Sequence, residues 1–267
     1  MSQFSLVIPI YNEQESSPIL AAEIYAKFAA WSGCPCAEVI FVDDGSRDES
    51  AARLRQFAKN LSPNAPTQPK LRVLRHSKNA GQSAALVTGI RAATAEWIVT
   101  LDGDGQNDPA DIEKLWQVLQ IETAQLSQPV KSGDSGRITP PRFVMMIGHR
   151  RHRRDSLSKK ISSRLANAIR RGLLHDDTPD TGCSLKIFPR AAFLAAPVFN
   201  HMHRYLAALL IAQGGKIISV AVTHRPRQAG QSKYGFWDRL AVGVFDLLGV
   251  MWLLRRHPNP GPINEDS

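Results

Sequence analysis

Along the first hundred residues, short apolar runs alternate with segments whose apolar positions recur every three or four residues. Phe4 to Pro9, Glu38 to Val42, Leu71 to Arg75 and Trp97 to Leu101 are such runs, rich in Val, Ile and Leu. They read as strands buried on both faces. Between them, Leu20, Ile24, Phe28 and Trp31 share one helical face, while Ala51 to Ala58 and Ala84 to Ala93 are rich in good helix formers. The β-α-β-α-β-α-β order predicts a parallel sheet with right-handed crossovers, a Rossmann-like half. Ligands of such sheets bind beyond the carboxyl ends of the strands.

The pattern then changes. After Asp108, a helix headed by Pro109 carries Ile112, Leu115, Trp116 and Leu119 on one face. Residues 127–141, with three Pro and two Gly, read as a flexible loop. Within 142–174, Leu157, Ile161, Leu165, Ile169 and Leu173 recur at near-helical spacing, with Lys160, Arg164 and Arg171 on another face, which predicts an amphipathic basic helix. Strands at Ser184 to Phe188 and Lys216 to Val222, with a helix over Tyr205 to Ala212, complete one α/β domain over 1–235. Phe236 to Leu254 is apolar over a length that would span about 28 Å as a helix, yet Asp238, Arg239 and Asp246 project to one side. Asp246 at mid-bilayer would cost about 2.5–3.5 kcal/mol, so the expectation for 236–256 is a helix in the membrane interface or packed on the domain. The tail, 257–267, carries three Pro and is expected to be disordered.

Composition adds two facts. The 267 residues are 43% hydrophobic, enough for a core. The net charge of +9 is local, since ten Lys or Arg against one acid, Asp155, lie between Arg142 and Arg171, and the rest of the chain is neutral. That patch suits nucleic acid, an anionic membrane surface or a phosphorylated ligand. Cys34, Cys36 and Cys183 have no His at zinc-ligand spacing and are expected to be reduced. The first residues lack the features of a signal peptide, so the expected location is cytoplasmic.

Candidate chemistry gathers at the predicted strand ends: Pro9-Ile10-Tyr11-Asn12-Glu13, Asp43-Asp44-Gly45-Ser46, Asn79-Ala80-Gly81-Gln82-Ser83 and Asp102-Gly103-Asp104-Gly105-Gln106. Each alone reads as a capped turn. Together they converge on one edge of a parallel sheet. Two carboxylates spaced i, i+2 beside glycines can approach one hard cation, Mg²⁺ or Mn²⁺, shared with the phosphates of a nucleotide diphosphate. Neither G-x-x-x-x-G-K-[ST] nor G-x-G-x-x-G occurs, which argues against an NTPase or a dehydrogenase. A calcium loop from Asp102 fails where it needs Gly, because Asn107 stands there.

These motifs, with Gln106-Asn-Asp-Pro109, Asp180-Thr-Gly-Cys183 and Arg225 to Tyr234, resemble the family 2 glycosyltransferases of GT-A fold over about residues 4–256. The closer likeness is to the dolichol-phosphate mannose synthase and undecaprenyl-phosphate glycosyltransferase branch. The resemblance implies a GT-A α/β fold, a mostly parallel sheet with flanking helices plus amphipathic membrane-interface helices. It places Pro9, Tyr11, Glu13, Val42, Asp44, Gly81 and Gly103 at the nucleotide. Asp102, Asp104 and Gln106 match its metal motif, with Gly103 and Gly105 where Ala and Leu are usual, so a more flexible loop is expected. Arg150 and Arg164 match arginines on the acceptor phosphate, whereas Arg151, Arg153 and Lys159 are expected to face water or anionic lipid. Arg227, Ser232 and Lys233 match a loop over the donor diphosphate. Asp180, grouped with Asp102 and Asp104 as catalytic, resembles an acid near the acceptor and equally fits a turn cap. His201 and His203 are expected to be structural.

The resemblance thus implies a metal-dependent, inverting transfer of a hexose from GDP-mannose or a UDP-hexose to a polyprenyl phosphate, by a peripheral or monotopic protein on the cytoplasmic face of the membrane. Two rivals predict other partners. A family 2 transferase acting on a saccharide needs a general base and an aromatic platform, which the basic segment does not supply. A nucleic-acid binder leaves Asp102 and Asp104 unexplained, because they would repel phosphate.

Overall fold

The computed structural model describes residues 2–61, 68–126, 141–150, 172–174, 176, 178–226 and 236–256. Its elements, in chain order, are β1 (Phe4–Ile10), α1 (Ser16–Ala30), β2 (Cys36–Asp43), α2 (Ser50–Asn60), β3 (Lys70–Arg75), α3 (Gln82–Ala92), β4 (Trp97–Thr100), α4 (Asp111–Leu126), β5 (Phe143–Arg150), β6 (Lys186–Pro189), α5 (Arg190–Ala195), α6 (Leu206–Ala212), β7 (Gly215–Val222) and α7 (Phe236–Arg255). A 3-10 turn, Met202–Arg204, precedes α6.

The strands form one sheet in the order β3-β2-β1-β4-β6-β5-β7. β1 pairs in parallel with β2 and β4, as do β2 with β3 and β5 with β7. Only β6 runs the other way, against β4 and β5. One edge of the sheet therefore collects the carboxyl ends of every strand but β6, together with the start of β6. The strand order reverses between β1 and β4, and a crevice opens above such a switch point.

The apolar runs form strands because both faces are covered: all seven residues of β1 are buried, and Val39 to Val42 of β2 are fully buried. α3 lies close on β1 and β2. A Cβ on Gly89 would stand 2.4 Å from Val7 Cγ1 and 2.9 Å from Val42 Cγ2, so only glycine permits this approach. At the opposite edge Glu38 accepts hydrogen bonds from Ser5 Oγ, Thr94 N, Thr94 Oγ1 and Arg72 Nη1 at 2.6–2.9 Å, fixing β1, β2 and β3 to one another.

The first four strands, the helices between them and α4 lie where the pattern puts them, within a few residues. Beyond α4 the pattern is less complete. It gives no sign of β5: Val144 to Ile147 are buried, and of the basic residues that dominate the sequence there, Arg142 precedes the strand and the rest begin at its end. The antiparallel course of β6 makes the sheet mixed. Of the predicted basic helix, residues 172–174 are helical and the remainder lies outside the described residues, as do 127–140 and 257–267.

α7 packs on the domain. Val250 is buried with Leu174, Tyr205 and Ala208, flanked by Leu247, Met251 and Leu254. Asp246, the acid that argues against a span, bonds to His201 Nδ1 at 2.8 Å, and the Tyr205 hydroxyl donates to the Gly243 carbonyl at 3.0 Å. No helix among the described residues is long and apolar enough to cross a membrane. All three cysteines are free thiols.

Candidate active site

The loops at the switch edge are sewn together by backbone and side-chain hydrogen bonds. Asn12, with φ +52°, turns the end of β1; its N–H donates to Ser46 Oγ and its Oδ1 accepts from Arg47 N, both at 2.8 Å. Glu13 N donates to Ser50 Oγ at 2.8 Å, and the Glu13 carboxylate accepts the Ser16 hydroxyl at the head of α1. Gly45 lets the next loop approach, since a Cβ there would fall 2.5 Å from the Lys78 carbonyl carbon. Asp44 then gathers that loop: its carboxylate accepts Ala80 N at 2.9 Å, Gly81 N at 2.7 Å and His76 Nδ1 at 2.7 Å. Sequence order gives no hint of these partners, which lie more than thirty residues away.

Two cavities open on this edge. One, of about 670 Å³, lies between the loops after β1, β2 and β3 and is lined by Tyr11, Arg47, Arg75 and Lys78 among others. The other, of about 370 Å³, runs from Pro9 and Gln82 past Asp102 to Lys186 and His203. The larger, cationic one has the room and charge for a nucleotide, with Tyr11 on its wall. Val42 and Asp44 sit below the cleft: Val42 is fully buried against α3, and Asp44 holds the loop that forms the cavity.

Asp102 and Asp104 stand at the end of β4 beside the second cavity. Asp102 N donates to Ser184 Oγ at 3.1 Å, and Ser184 in turn donates to Asn107 Oδ1 at 2.9 Å, which braces the turn. Gln82 Nε2 donates to Asp102 Oδ1 at 2.8 Å, and Gln106 N to Asp104 Oδ1 at 3.1 Å. Desolvation in the cleft and, next, the Asp104 carboxylate push the Asp102 carboxyl up to about 6. Two neighbouring carboxylates with no ion pair among the described residues fit a hard divalent cation. No group of three His, Cys, Asp or Glu ligands occurs among the described residues, so a cation here would take its remaining ligands from water and substrate phosphates.

The expected looseness from Gly103 is absent. Gly103 is buried, and a Cβ on it would lie 2.4 Å from Ile10 Cγ2 and 3.2 Å from Pro9 O. It is a close approach between two loops. Gly105, at φ +71°, supplies the left-handed turn that follows.

Arg150, at the end of β5, and Asp180, in the loop before β6, meet in a two-point fork: Nε to Oδ2 at 2.6 Å and Nη2 to Oδ1 at 2.8 Å, with both side chains largely buried. The hydrogen bonds it donates to Asp180 hold the Arg150 guanidinium above its ordinary pKa. Two of the groups expected at the acceptor are thus one unit. Arg225 ties the far side, where its guanidinium bridges Asp108 at 2.5 Å and Glu23 at 2.9 Å, and its N–H donates to the Gln106 carbonyl at 2.8 Å. The segment leading to 227–235 therefore starts from the Asp102–Asp108 turn. Arg164, Arg227, Ser232 and Lys233 lie outside the described residues.

Sequence reasoning gives Gln82 no role of its own, passes over Ser184 and Lys186, and sets His203 aside as structural. His203 lines the second cavity and bonds through Nδ1 to Ser83 Oγ at 2.8 Å. One signal was available: Lys186 interrupts the apolar run Leu185-Lys-Ile-Phe188 of a predicted strand.

A mixed α/β sheet whose switch edge carries a nucleotide-sized cationic cavity and, after β4, a D-x-D turn defines a GT-A-like transferase. The family model "Glycosyl transferase family 2" matches residues 5–193, and the chain belongs to that family, which makes it a glycosyltransferase. It is 32% identical to a dodecaprenyl-phosphate galacturonate synthase of Rhizobium johnstonii over 97% of this chain and 69% of that one. It is 31% identical to an undecaprenyl-phosphate 4-deoxy-4-formamido-L-arabinose transferase of Photorhabdus laumondii, over 93% and 67%. Its fold is similar to that of glucosyl-3-phosphoglycerate synthase from Mycobacterium tuberculosis crystallised with Mn²⁺, UDP-glucose and phosphoglyceric acid, with a TM-score of 0.60 at 15% identity, covering 97% of this chain and 82% of that one.

Proposed function

We propose that the protein moves a sugar from a nucleotide diphosphate donor to the phosphate of a polyprenyl lipid, with inversion at the anomeric carbon. The observation that carries this reading is the switch edge itself: a cationic nucleotide-sized cavity and a second, lysine-bearing cavity lined by Asp102 open on the same edge of the sheet. The Rhizobium and Photorhabdus relatives act on polyprenyl phosphates, which supports the acceptor class. The donor is a UDP- or GDP-sugar in this reading.

In the transfer, an oxygen of the acceptor phosphate bonds to the anomeric carbon while the bond from that carbon to the donor diphosphate breaks, releasing the nucleotide diphosphate. A phosphate monoester has its second pKa near 6, so the nucleophile is largely ionised at neutral pH and no side chain has to remove a proton. What the protein supplies is position and charge. Asp102 and Asp104, with Gln106 beside them, would hold Mg²⁺ or Mn²⁺; when bound, the ion neutralises charge on the departing diphosphate. Tyr11, Glu13 and the loops held by Asp44 shape the nucleotide cavity, with Arg227, Ser232 and Lys233 as further donor contacts. Asp180, held by Arg150, orients the acceptor side, and Arg164 adds a phosphate contact.

The protein in this reading works on the cytoplasmic face of the membrane. Phe245, Leu248 and Trp252 on α7 are 77%, 48% and 58% exposed and share one face at spacings of three and four. Arg256 stacks over Trp252 at 5.4 Å, placing a cation beside the apolar stripe. Replacing Phe245 and Trp252 by Ser should weaken co-sedimentation with anionic lipid vesicles at least about tenfold while leaving the fold intact. Unchanged vesicle binding would contradict this placement. The transfer itself is tested by incubating the protein with bacterial membranes and labelled sugar nucleotides: label should enter the organic extract, and label found only in water-soluble saccharide would overturn the reading.

A further inference from the structure

The second cavity holds a cation to which glycosyl transfer, as proposed, gives no task. Lys186 opens β6, is 6% exposed, and lines the cavity beside Asp102 and His203. Leu185, Ile187 and Phe188 around it are fully buried. Its ammonium donates to the Cys183 carbonyl; the Asp102 and Asp180 carboxylates act on its charge from nearby, but it forms no ion pair with either among the described residues. Arg150, by contrast, reaches the rim of the same cavity near Gly182 already paired with Asp180.

An ammonium buried in an apolar strand with no carboxylate in hydrogen-bond contact is costly, and Met or Leu would fill the same volume without that cost. The cost is offset when an anion enters the cavity. A buried, water-poor wall also makes one charge-assisted hydrogen bond stronger than the same bond at the surface. We propose that Lys186 Nζ is the anchor for an anionic oxygen group that a substrate carries into this cavity. Within the glycosyl-transfer reading of the cleft, on which this inference rests, two substrate groups have that chemistry: the carboxylate of a uronic-acid donor sugar and the phosphate of the polyprenyl acceptor. Either enters beside Asp102, where donor and acceptor must meet. Lys186 is thus a specificity-determining residue, and the lone cation of β6 is kept for a ligand rather than for the fold.

Lys186→Met and Lys186→Arg separate these roles. With Mn²⁺ present, calorimetry measures binding of a hexose donor and its uronate analogue, on whichever of UDP or GDP the native protein binds, and of farnesyl phosphate. Lys186→Met should weaken one anionic probe about tenfold or more, with the hexose donor unchanged, while Lys186→Arg stays within about threefold of native. Loss confined to the uronate donor assigns the carboxylate, and loss confined to farnesyl phosphate assigns the acceptor. The melting temperature of Lys186→Met should equal or exceed that of the native protein, because a buried ammonium with no carboxylate in contact has gone. Native affinity for both anionic probes in Lys186→Met, or a lower melting temperature with unchanged binding, would overturn the inference and leave the glycosyl-transfer reading standing. A native protein that binds neither donor nor farnesyl phosphate would overturn both.

Discussion

Gly103→Ala adds one methyl group at the point where the D-x-D turn touches β1. The new Cβ would stand 2.4 Å from Ile10 Cγ2, 3.2 Å from Pro9 O and 3.5 Å from Ile10 Cβ. Ordinary carbon contacts lie at about 3.5–4.0 Å, so the two loops must separate by about 1 Å or Ile10 must leave its rotamer. Ile10 is 3% exposed and has no room to turn. Overpacking of this kind costs about 1–3 kcal/mol. The displacement falls on Asp102 and Asp104, on either side of the new methyl, and a misplacement of about 1 Å at a reacting group can cost about 10²-fold in rate. Urea denaturation should therefore show the stability loss, and Mn²⁺ titration with a transfer assay should show weaker metal binding and slower turnover. Ile10→Ala removes the clashing Cγ2. In the double variant the stability losses should sum to less than the two single losses, by about 1 kcal/mol or more. Full stability and activity in Gly103→Ala, or losses that add within about 0.5 kcal/mol, would refute the argument.

Asp104→Asn should leave the melting temperature unchanged and reduce transfer by at least about 10²-fold, as chelator should in the native protein; full transfer in EDTA would remove the metal from the account. Arg150→Met leaves Asp180 largely buried without its cation and should destabilise the fold by about 3 kcal/mol, whereas Asp180→Asn should slow transfer without adding an acid limb to the pH profile. Such a limb would show that Asp180 is a general base. Burial, and next the Lys186 charge, hold His203 near a pKa of about 3, below the ordinary 6.5. As pH falls below 6.5 the unfolded chain takes up a proton that the folded protein refuses, so stability drops by up to about 1.4 kcal/mol per pH unit towards 3. His203→Gln should flatten that slope in denaturation curves taken between pH 7 and pH 4.5, and parallel curves for the two proteins would contradict it.

β1 to β4 are legible because a strand buried on both faces is written as an unbroken apolar run. β5 is not, because its apolar half, Phe143 to Ile147, runs directly into Gly148-His-Arg and the cations beyond. α5 spans six residues, too short for a helical period to register. At the site, spacing places the acids, since i, i+2 carboxylates after a strand have one edge to occupy. Pairings between distant segments leave no trace in the spacing: Asp44 with Ala80 and Gly81, Arg150 with Asp180, Asp246 with His201. Gly103 shows the same limit. A glycine between two acids reads as a loosened loop until Ile10 appears against it.

The identity of the nucleophile is the central claim, and purified protein with defined acceptors tests it most directly. The labelled donor that enters a membrane lipid extract is offered, with Mn²⁺, to a polyprenyl phosphate, to the matching polyprenol and to a neutral oligosaccharide. The account predicts labelled lipid with the polyprenyl phosphate alone, in step with release of nucleotide diphosphate. Transfer to the polyprenol or the oligosaccharide at a comparable rate would contradict it.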